Sequence, residues 1–362
     1  MEYRRLGNSG LIVSALSLGT MQFGKGMNMG NLDQKATNKL VKLALDRGVN
    51  FIDTADVYSR GESEVQVGEA LKGIRQEVVL ATKARLPMSD HNFNRSGNTR
   101  YNLLRGIESS LKRLQTDYID LYQVHGWDSN TPLEETLTTL NDLVRRGMVR
   151  YIGFSNFMGW QAATALGLQK QLGLEPFVTG QMYYSLVGRE LEHDFVPFAQ
   201  YHNIGILVWS SLAGGFLSGK YNELSAAQTG TRFAEAGQFV PFDWKKSQPV
   251  LKALRKVAER HGVSMAQVAY AWTVRRSQVS SVIVAARKLE HLEDNLKAID
   301  LKLSEADLRL LDRASHPGTP YPQWMVLQLD QAEDPRPRIL HPERFRDGGP
   351  WADLRFRGKE KQ

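Results

Sequence analysis

The sequence predicts an α/β fold, a closed (β/α)8 TIM barrel preceded by a β-hairpin, and three observations predict it. Short apolar runs alternate with longer segments of helical periodicity, eight such runs occur, and each is apolar on both faces, as a strand covered twice must be. The runs occupy 15–18, 50–53, 78–82, 118–124, 151–155, 178–181, 205–209 and 281–284. Between them the spacing predicts helices over 34–47, stopped by Gly48, over 62–71, stopped near Gly73, and over 98–114, where Leu103, Ile107, Leu111 and Leu114 share one face. Further helices are expected over 132–146, with Pro132 as starter and Gly147 as stop, over 160–172 and over 189–201. Residues 1–13, centred on Gly7-Asn8-Ser9-Gly10, read as a hairpin that plugs the bottom of the barrel.

The interval between the seventh and eighth runs is the longest. It holds Gly-Gly-Phe-Leu-Ser-Gly-Lys, a polar stretch and two helices near 248–261 and 264–275, and long insertions at βα loops commonly carry function. Two parts follow: a barrel over 1–315 and a C-terminal extension over 316–362. The extension carries Pro317, Pro320, Pro322, Pro335 and Pro337 and reads as loop, either covering the barrel mouth or hanging free.

Composition narrows the chemistry. With 42% hydrophobic and 23% charged residues among 362, the chain has material for a large core, so wholesale disorder is excluded. Zero cysteines exclude disulfides, thiolate metal sites and thiol nucleophiles. No stretch has the length of an apolar membrane span, and the first residues lack the core of a signal peptide, so the expected setting is cytoplasmic, without a membrane partner. The net charge of +7 would tolerate phosphates, but no basic arm or aromatic-basic reading element appears, and no nucleic-acid partner is expected. Subunit number is left open, a homo-oligomer included.

In a barrel, chemistry sits where strands end at the C-terminal face, so polar residues ending the apolar runs are the candidates. Asp53 ends the second run, Lys83 follows the third and His125 follows the fourth. Neighbouring strands lie about 4.8 Å apart, so these side chains converge, and Tyr58, five residues past Asp53, reaches the same rim. A phenol titrates near pH 10, but a neighbouring ammonium favours the phenolate and brings that value down. Tyr58 is therefore the expected acid, Lys83 its activator, Asp53 the anchor of Lys83, and His125 a hydrogen-bonding group for a substrate oxygen. A metal-dependent hydrolase built on Asp53, Asp56, His125 and Asp128 is a competing reading, opposed by the charge of Lys83.

No Gly-x-Gly-x-x-Gly follows a strand, which argues against a Rossmann domain. The segment from Gly214 to Tyr221 nearly spells a P-loop, but Tyr221 stands where a magnesium-binding hydroxyl belongs. What remains is a cradle of backbone amides plus Lys220 for a pyrophosphate.

These residues resemble the aldo-keto reductase family over nearly all of 1–315. The matching stretches are Leu18-Gly19-Thr20-Met21, 50–58 with Gly61-Glu62-Ser63-Glu64, Ala81-Thr82-Lys83, 122–125, Ile152-Gly153-Phe154-Ser155-Asn156, 209–220 and 287–295. The resemblance implies an NAD(P)H-dependent carbonyl reductase with Asp53, Tyr58, Lys83 and His125 as its catalytic tetrad. It implies that Ser155, Asn156 and Gln181 bind the nicotinamide carboxamide, that Trp209 stacks on the ring, and that Gly19, Thr20 and Met21 line the site beside it. Ser210, Leu212, Gly214 and Lys220 match pyrophosphate contacts, and Arg287, His291, Asp294 and Asn295 match the adenosine end. The family usually has Gly at the position of Ala285, Gln or Arg at His291 and Glu at Asp294. Arg287 suits a 2′-phosphate, because a guanidinium grips phosphate through two parallel bonds, so NADPH is expected over NADH. The substrate, a small carbonyl compound, is expected to meet Met21, Tyr58, His125 and Trp127, with the loop 21–29 and Trp324 as further lining. The fold also resembles potassium-channel beta subunits, which makes a cofactor-binding regulatory subunit the alternative.

Overall fold

The structure, a computed structural model, describes residues 1–26, 30–221 and 240–331. A hairpin of β1 (Tyr3–Arg5) and β2 (Ile12–Ser14) opens the chain. Strand β3 (Leu16–Gly19) enters the barrel, and β4 (Gly24–Gly26) with β5 (Gly30–Leu32) forms a small antiparallel ladder beside it. The other barrel strands are β6 (Phe51–Asp53), β7 (Val79–Ala84), β8 (Ile119–Val124), β9 (Val149–Ser155), β10 (Phe177–Tyr183), β11 (Gly205–Trp209) and β12 (Val279–Val284). All pair in parallel, and the ring closes through β12 against β3. Each barrel strand falls on one of the eight predicted runs.

The helices between them follow the same logic. In Arg100–Leu114 the Thr99 hydroxyl accepts the Asn102 amide at 3.1 Å, Leu103, Ile107 and Leu114 are buried, and left-handed Gln115 ends the helix. Burial of each such leucine is worth about 1.5–3 kcal/mol. Gly106 in this helix permits close docking, since a Cβ there would sit 3.1 Å from both Ala84 Cβ and the Tyr122 hydroxyl of the sheet beneath.

The hairpin closes the N-terminal end of the barrel as the sequence predicts. Leu6 and Val13 form one buried cluster with Phe51, Val79, Ala81, Leu121, Val178 and Leu207 from the strands. Gly7 presses against the strand ends in a left-handed conformation, and a Cβ there would fall 2.0 Å from the Val178 carbonyl oxygen. At the other end the long connection after β11 carries helices Trp244–His261 and Met265–Val274, and residues 222–239 within it lie outside the described part.

Two expectations need correction. The helix predicted over 189–201 is broken into a 3-10 turn, Glu190–His193, and a helix, Phe195–His202. The break falls at Asp194, whose carboxylate accepts the Gly159 amide at 2.6 Å, while the Arg189 guanidinium is drawn to Glu192, Asp312 and Ser315. The extension is not all loop either: Gln323–Gln331 is helical, and the Gln323 side-chain amide donates to the His193 carbonyl at 2.7 Å. Residues 332–362 lie outside the described part. No helix among the described residues is long and apolar enough to cross a membrane.

Candidate active site

A cleft of about 580 Å³ opens at the C-terminal ends of the strands, and the predicted residues converge on it. Gly19, Thr20, Met21, Asp53, Tyr58, His125, Ser155, Asn156, Gln181, Trp209, Ser210, Leu212, Gly214, Lys220, Arg287, His291, Asp294 and Asn295 all line it. Lys83 lies fully buried behind Asp53 and Tyr58. Trp127 is not among the lining residues, because its ring is held by Phe157 at 5.2 Å and Trp160 at 5.7 Å. Trp324 is absent from the lining as well and packs near Tyr321. Of the loop 21–29, Met21 and Gln22 reach the cleft, and residues 27–29 lie outside the described part.

At the base of the cleft sits a buried ion pair. The Lys83 ammonium donates to Asp53 Oδ2 at 2.6 Å and to the Thr54 carbonyl at 2.7 Å, and it approaches the Tyr58 hydroxyl at 3.4 Å. Burial alone would push Lys83 down, but the charge of Asp53, the proximity of Tyr58 and their hydrogen bonds outweigh it and hold the ammonium above its ordinary value. The second oxygen of Asp53 accepts from Gln181 at 2.7 Å and from Gln123 at 3.3 Å, so the aspartate is held on both sides. Tyr58 is delivered by a strained turn: Ser59 and Arg60 both adopt left-handed backbone, and the Ser59 hydroxyl is tied to the Phe23 carbonyl at 2.9 Å. The Tyr58 ring meets His125 edge to face at 5.9 Å. Burial, then the charges of Lys83 and Arg85, push the His125 imidazole well below its ordinary value, so it is neutral at neutral pH.

The rest of the cleft offers a graded set of polar groups. Asn156 donates to the His125 carbonyl at 3.3 Å and accepts from the Trp209 indole at 3.1 Å, which fixes Trp209 at the wall. Gln181, predicted to face a carboxamide, spends its amide N–H on Asp53, so the two predicted subsites share one carboxylate. Beyond Trp209 the backbone turns left-handed at Ser210, Ala213, Gly214 and Gly215 along the cleft, and the amides of Ala213, Gly214 and Gly215 donate within the turn itself, to Ser210 and Leu212, so the expected cradle of free amides is not formed by these three. Gly219 ends this turn, and a Cβ there would strike Met265 Sδ at 2.6 Å. At the far end Arg287 stands just before helix Leu289–Leu296, and Arg287, Lys288 and His291 all line the cleft there. The Asp294 carboxylate is engaged at both oxygens, by Ser264 at 2.6 Å and Gln267 at 2.5 Å, and so acts mainly to hold that wall together.

Sequence reading missed Gln123 as a support of Asp53, although a polar residue on the same face as the end of an apolar run is a visible signal. It also missed Val57, Leu86 and Tyr270 in the lining, since no local pattern marks which side chain turns toward a cleft. The four groups of the metal-site reading do not gather. Asp53 is paired with Lys83, and the Asp128 carboxylate accepts from the amides of Asn98 and Asn130 and from the Thr131 hydroxyl. Among the described residues no group of His, Cys, Asp or Glu is placed to hold a metal ion.

A ring of eight parallel strands with a buried lysine-aspartate pair and a tyrosine at its open mouth defines a class, and comparison of the sequence names it. The Aldo/keto reductase family matches residues 15–316, and the chain belongs to that family, one of oxidoreductases that use nicotinamide cofactors. Among its relatives are the uncharacterized oxidoreductase YrpG of Bacillus subtilis, 38% identical over 86% of this chain and 95% of the relative. A probable voltage-gated potassium channel subunit beta of Arabidopsis thaliana is 35% identical over 83% of this chain and 92% of its own. The versiconal hemiacetal acetate reductase of Aspergillus parasiticus is 32% identical over 88% of this chain and 99% of its own.

Proposed function

We propose that this protein reduces an aldehyde or ketone to an alcohol, with NADPH as reductant and Tyr58 as the general acid. The observation that carries the reading is the Tyr58 hydroxyl 3.4 Å from the Lys83 ammonium, at the wall of a cleft of about 580 Å³. Bound there, the nicotinamide cofactor supplies a hydride to the carbonyl carbon. The chain's own residues manage the oxygen. Tyr58 gives its proton to the oxygen as negative charge develops on it, and the Lys83 ammonium stabilises the phenolate left behind. Asp53 keeps Lys83 charged in a site where burial opposes charge. Neutral His125 donates a hydrogen bond that orients the carbonyl without competing for the proton.

Ser155, Asn156 and Gln181 would hold the carboxamide, Trp209 would lie against the nicotinamide ring, and the left-handed turn with Lys220 would receive the pyrophosphate. Arg287 would meet the 2′-phosphate, with His291, Asn295 and the wall anchored by Asp294 around the adenosine. Substrates meet Met21, Tyr58 and His125, beside apolar Val57 and Leu86. A second reading, a cofactor-binding regulatory subunit, is favoured by the 35% identity to a potassium channel beta subunit.

NADPH oxidation against a panel of aldehydes, ketones and keto-sugars separates the two, because the regulatory reading expects little turnover with any of them. Tyr58→Phe is expected to lower kcat by about 10²–10⁴ while NADPH affinity, followed by fluorescence, stays the same. Retained turnover in that variant would overturn Tyr58 as the acid.

A further inference from the structure

The two side-chain amides that reach Asp53 are not equivalent. Gln181 lines the cleft, whereas Gln123 is fully buried behind it and is not among the lining residues, so a bound molecule can draw on the first and not on the second. Gln123 stands on β8 with Lys83 of β7 as its register partner on one side and Gly153 of β9 on the other. A Cβ at Gly153 would fall 3.3 Å from Gln123 Cγ and 2.9 Å from the Thr179 carbonyl oxygen, so the glycine leaves the glutamine room to lie in the barrel. A carboxylate only accepts, and the nitrogen of the Gln123 amide is therefore the end that faces Asp53 Oδ1, at 3.3 Å. Its other end, Oε1, is buried with no hydrogen-bond partner among the described residues.

An apolar side chain of the same length would fill this place without leaving a carbonyl oxygen unanswered, a state that burial penalises. What the amide contributes is therefore at its nitrogen. We infer that Gln123 is a positioning residue for the proton donor: from behind the cleft it holds Asp53 Oδ1, so that Oδ2 stays on Lys83 and part of the ammonium's charge stays with Tyr58. This rests on the role proposed for Tyr58. The contacts run without a gap, from the Gln123 amide to Asp53 at 3.3 Å, from Asp53 to Lys83 at 2.6 Å and from Lys83 to the Tyr58 hydroxyl at 3.4 Å. A donor on Oδ1 draws negative charge toward that oxygen and away from the one that faces Lys83. Without it the carboxylate claims more of the ammonium, the phenolate of Tyr58 receives less, and the phenol gives up its proton less readily. Gln181 makes the same kind of bond at 2.7 Å, but from the wall where the carboxamide would sit. Gln123 is the donor whose bond stays the same whatever the cleft holds.

The test uses Gln123→Met, which keeps the length and loses the donor, with Gln123→Leu in its place if the Met variant does not fold. Reduction is expected to lose about three- to tenfold in kcat, the worth of one hydrogen bond, while NADPH affinity followed by fluorescence stays within about twofold. Gln181→Met is the contrast, because it removes an amide at the cleft wall and should weaken NADPH binding as well. A Gln123 variant that weakened NADPH binding as much as Gln181→Met would overturn the inference, since its amide would then belong to the cofactor wall.

A second readout does not depend on turnover. Phenolate absorbance, taken as the difference made by Tyr58→Phe in each background, should show Tyr58 ionising at higher pH in Gln123→Met than in the natural protein, by about half to one pH unit, with or without NADP+ present. Urea unfolding is expected at the natural midpoint or above it, because the variant removes the unanswered oxygen. A lower midpoint with an unmoved phenolate titration is what a packing role alone would give, and an unmoved titration overturns the inference whatever happens to kcat. Normal turnover in Tyr58→Phe would instead sink the acid assignment, with the titration still deciding whether Gln123 acts on Tyr58.

Discussion

The two ends of the barrel are built from the same strands and use burial for opposite purposes. Phe51, Ala81 and Leu121 fill the closed end together with Leu6 and Val13 of the hairpin. Two residues further along the same strands stand Asp53, Lys83 and Gln123, equally buried and all polar. Side chains two apart on a strand share a face, so both sets point into the barrel, one layer roughly 6–7 Å above the other. The lower layer is held by the exclusion of water and needs only volume. The upper layer has to satisfy a charge pair in a place where burial opposes charge, and it does so with Thr54, Gln123, Gln181 and Tyr58 as partners. Shape is enough for the first, and the second works only if every partner is in place.

That contrast breaks most sharply at Lys83. Replacing Lys83 with Met keeps the volume and removes the charge, so kcat should fall by about 10²–10⁴, as for loss of the acid itself. Stability should fall by about 3–5 kcal/mol as well, because Asp53 is left buried without its counter-ion. Steady-state kinetics and urea unfolding read the two losses separately, and a variant that kept either would blur the distinction between the ends. At the closed end Leu6→Ala should cost about 2–5 kcal/mol in the same unfolding measurement, with kcat unchanged in the folded fraction. A lowered kcat there would mean that the plug and the cleft are coupled. The smallest effect is expected at the rim. Arg287→Ala should weaken NADPH binding by about ten- to a hundredfold, the value of a charge-assisted pair, while NADH affinity stays put. An unchanged ratio of the two affinities would remove Arg287 from the 2′-phosphate.

The closed end was the easier to read in the sequence. Leu-Ser-Leu-Gly, Phe-Ile-Asp and Ile-Leu-Val-Trp announce strands because apolar runs bounded by glycine and polar residues are local signals. The helix over 189–201 was misread because its periodicity is genuine, but Asp194 is claimed by Gly159, some thirty-five residues away in the chain. Trp127, expected in the substrate site alongside the family resemblance, turns instead to Phe157 and Trp160, aromatic partners that no local pattern assigns to it. At the open end, the members of the tetrad were legible as polar residues ending apolar runs. Their supports were not, since Gln181 reaches Asp53 across 128 positions of sequence.

The sequence by itself determined the eightfold alternation of strand and helix, the hairpin, the long loop after the seventh strand, and which polar side chains would stand at the strand ends. Those features follow from hydrophobic period and from glycine and proline punctuation, which act over a few residues. Only the tertiary structure decided that Gln123 and Gln181 converge on the carboxylate of Asp53 that anchors Lys83. The character of a buried polar group depends on which distant groups share its cavity, and that is fixed when the ring of strands closes.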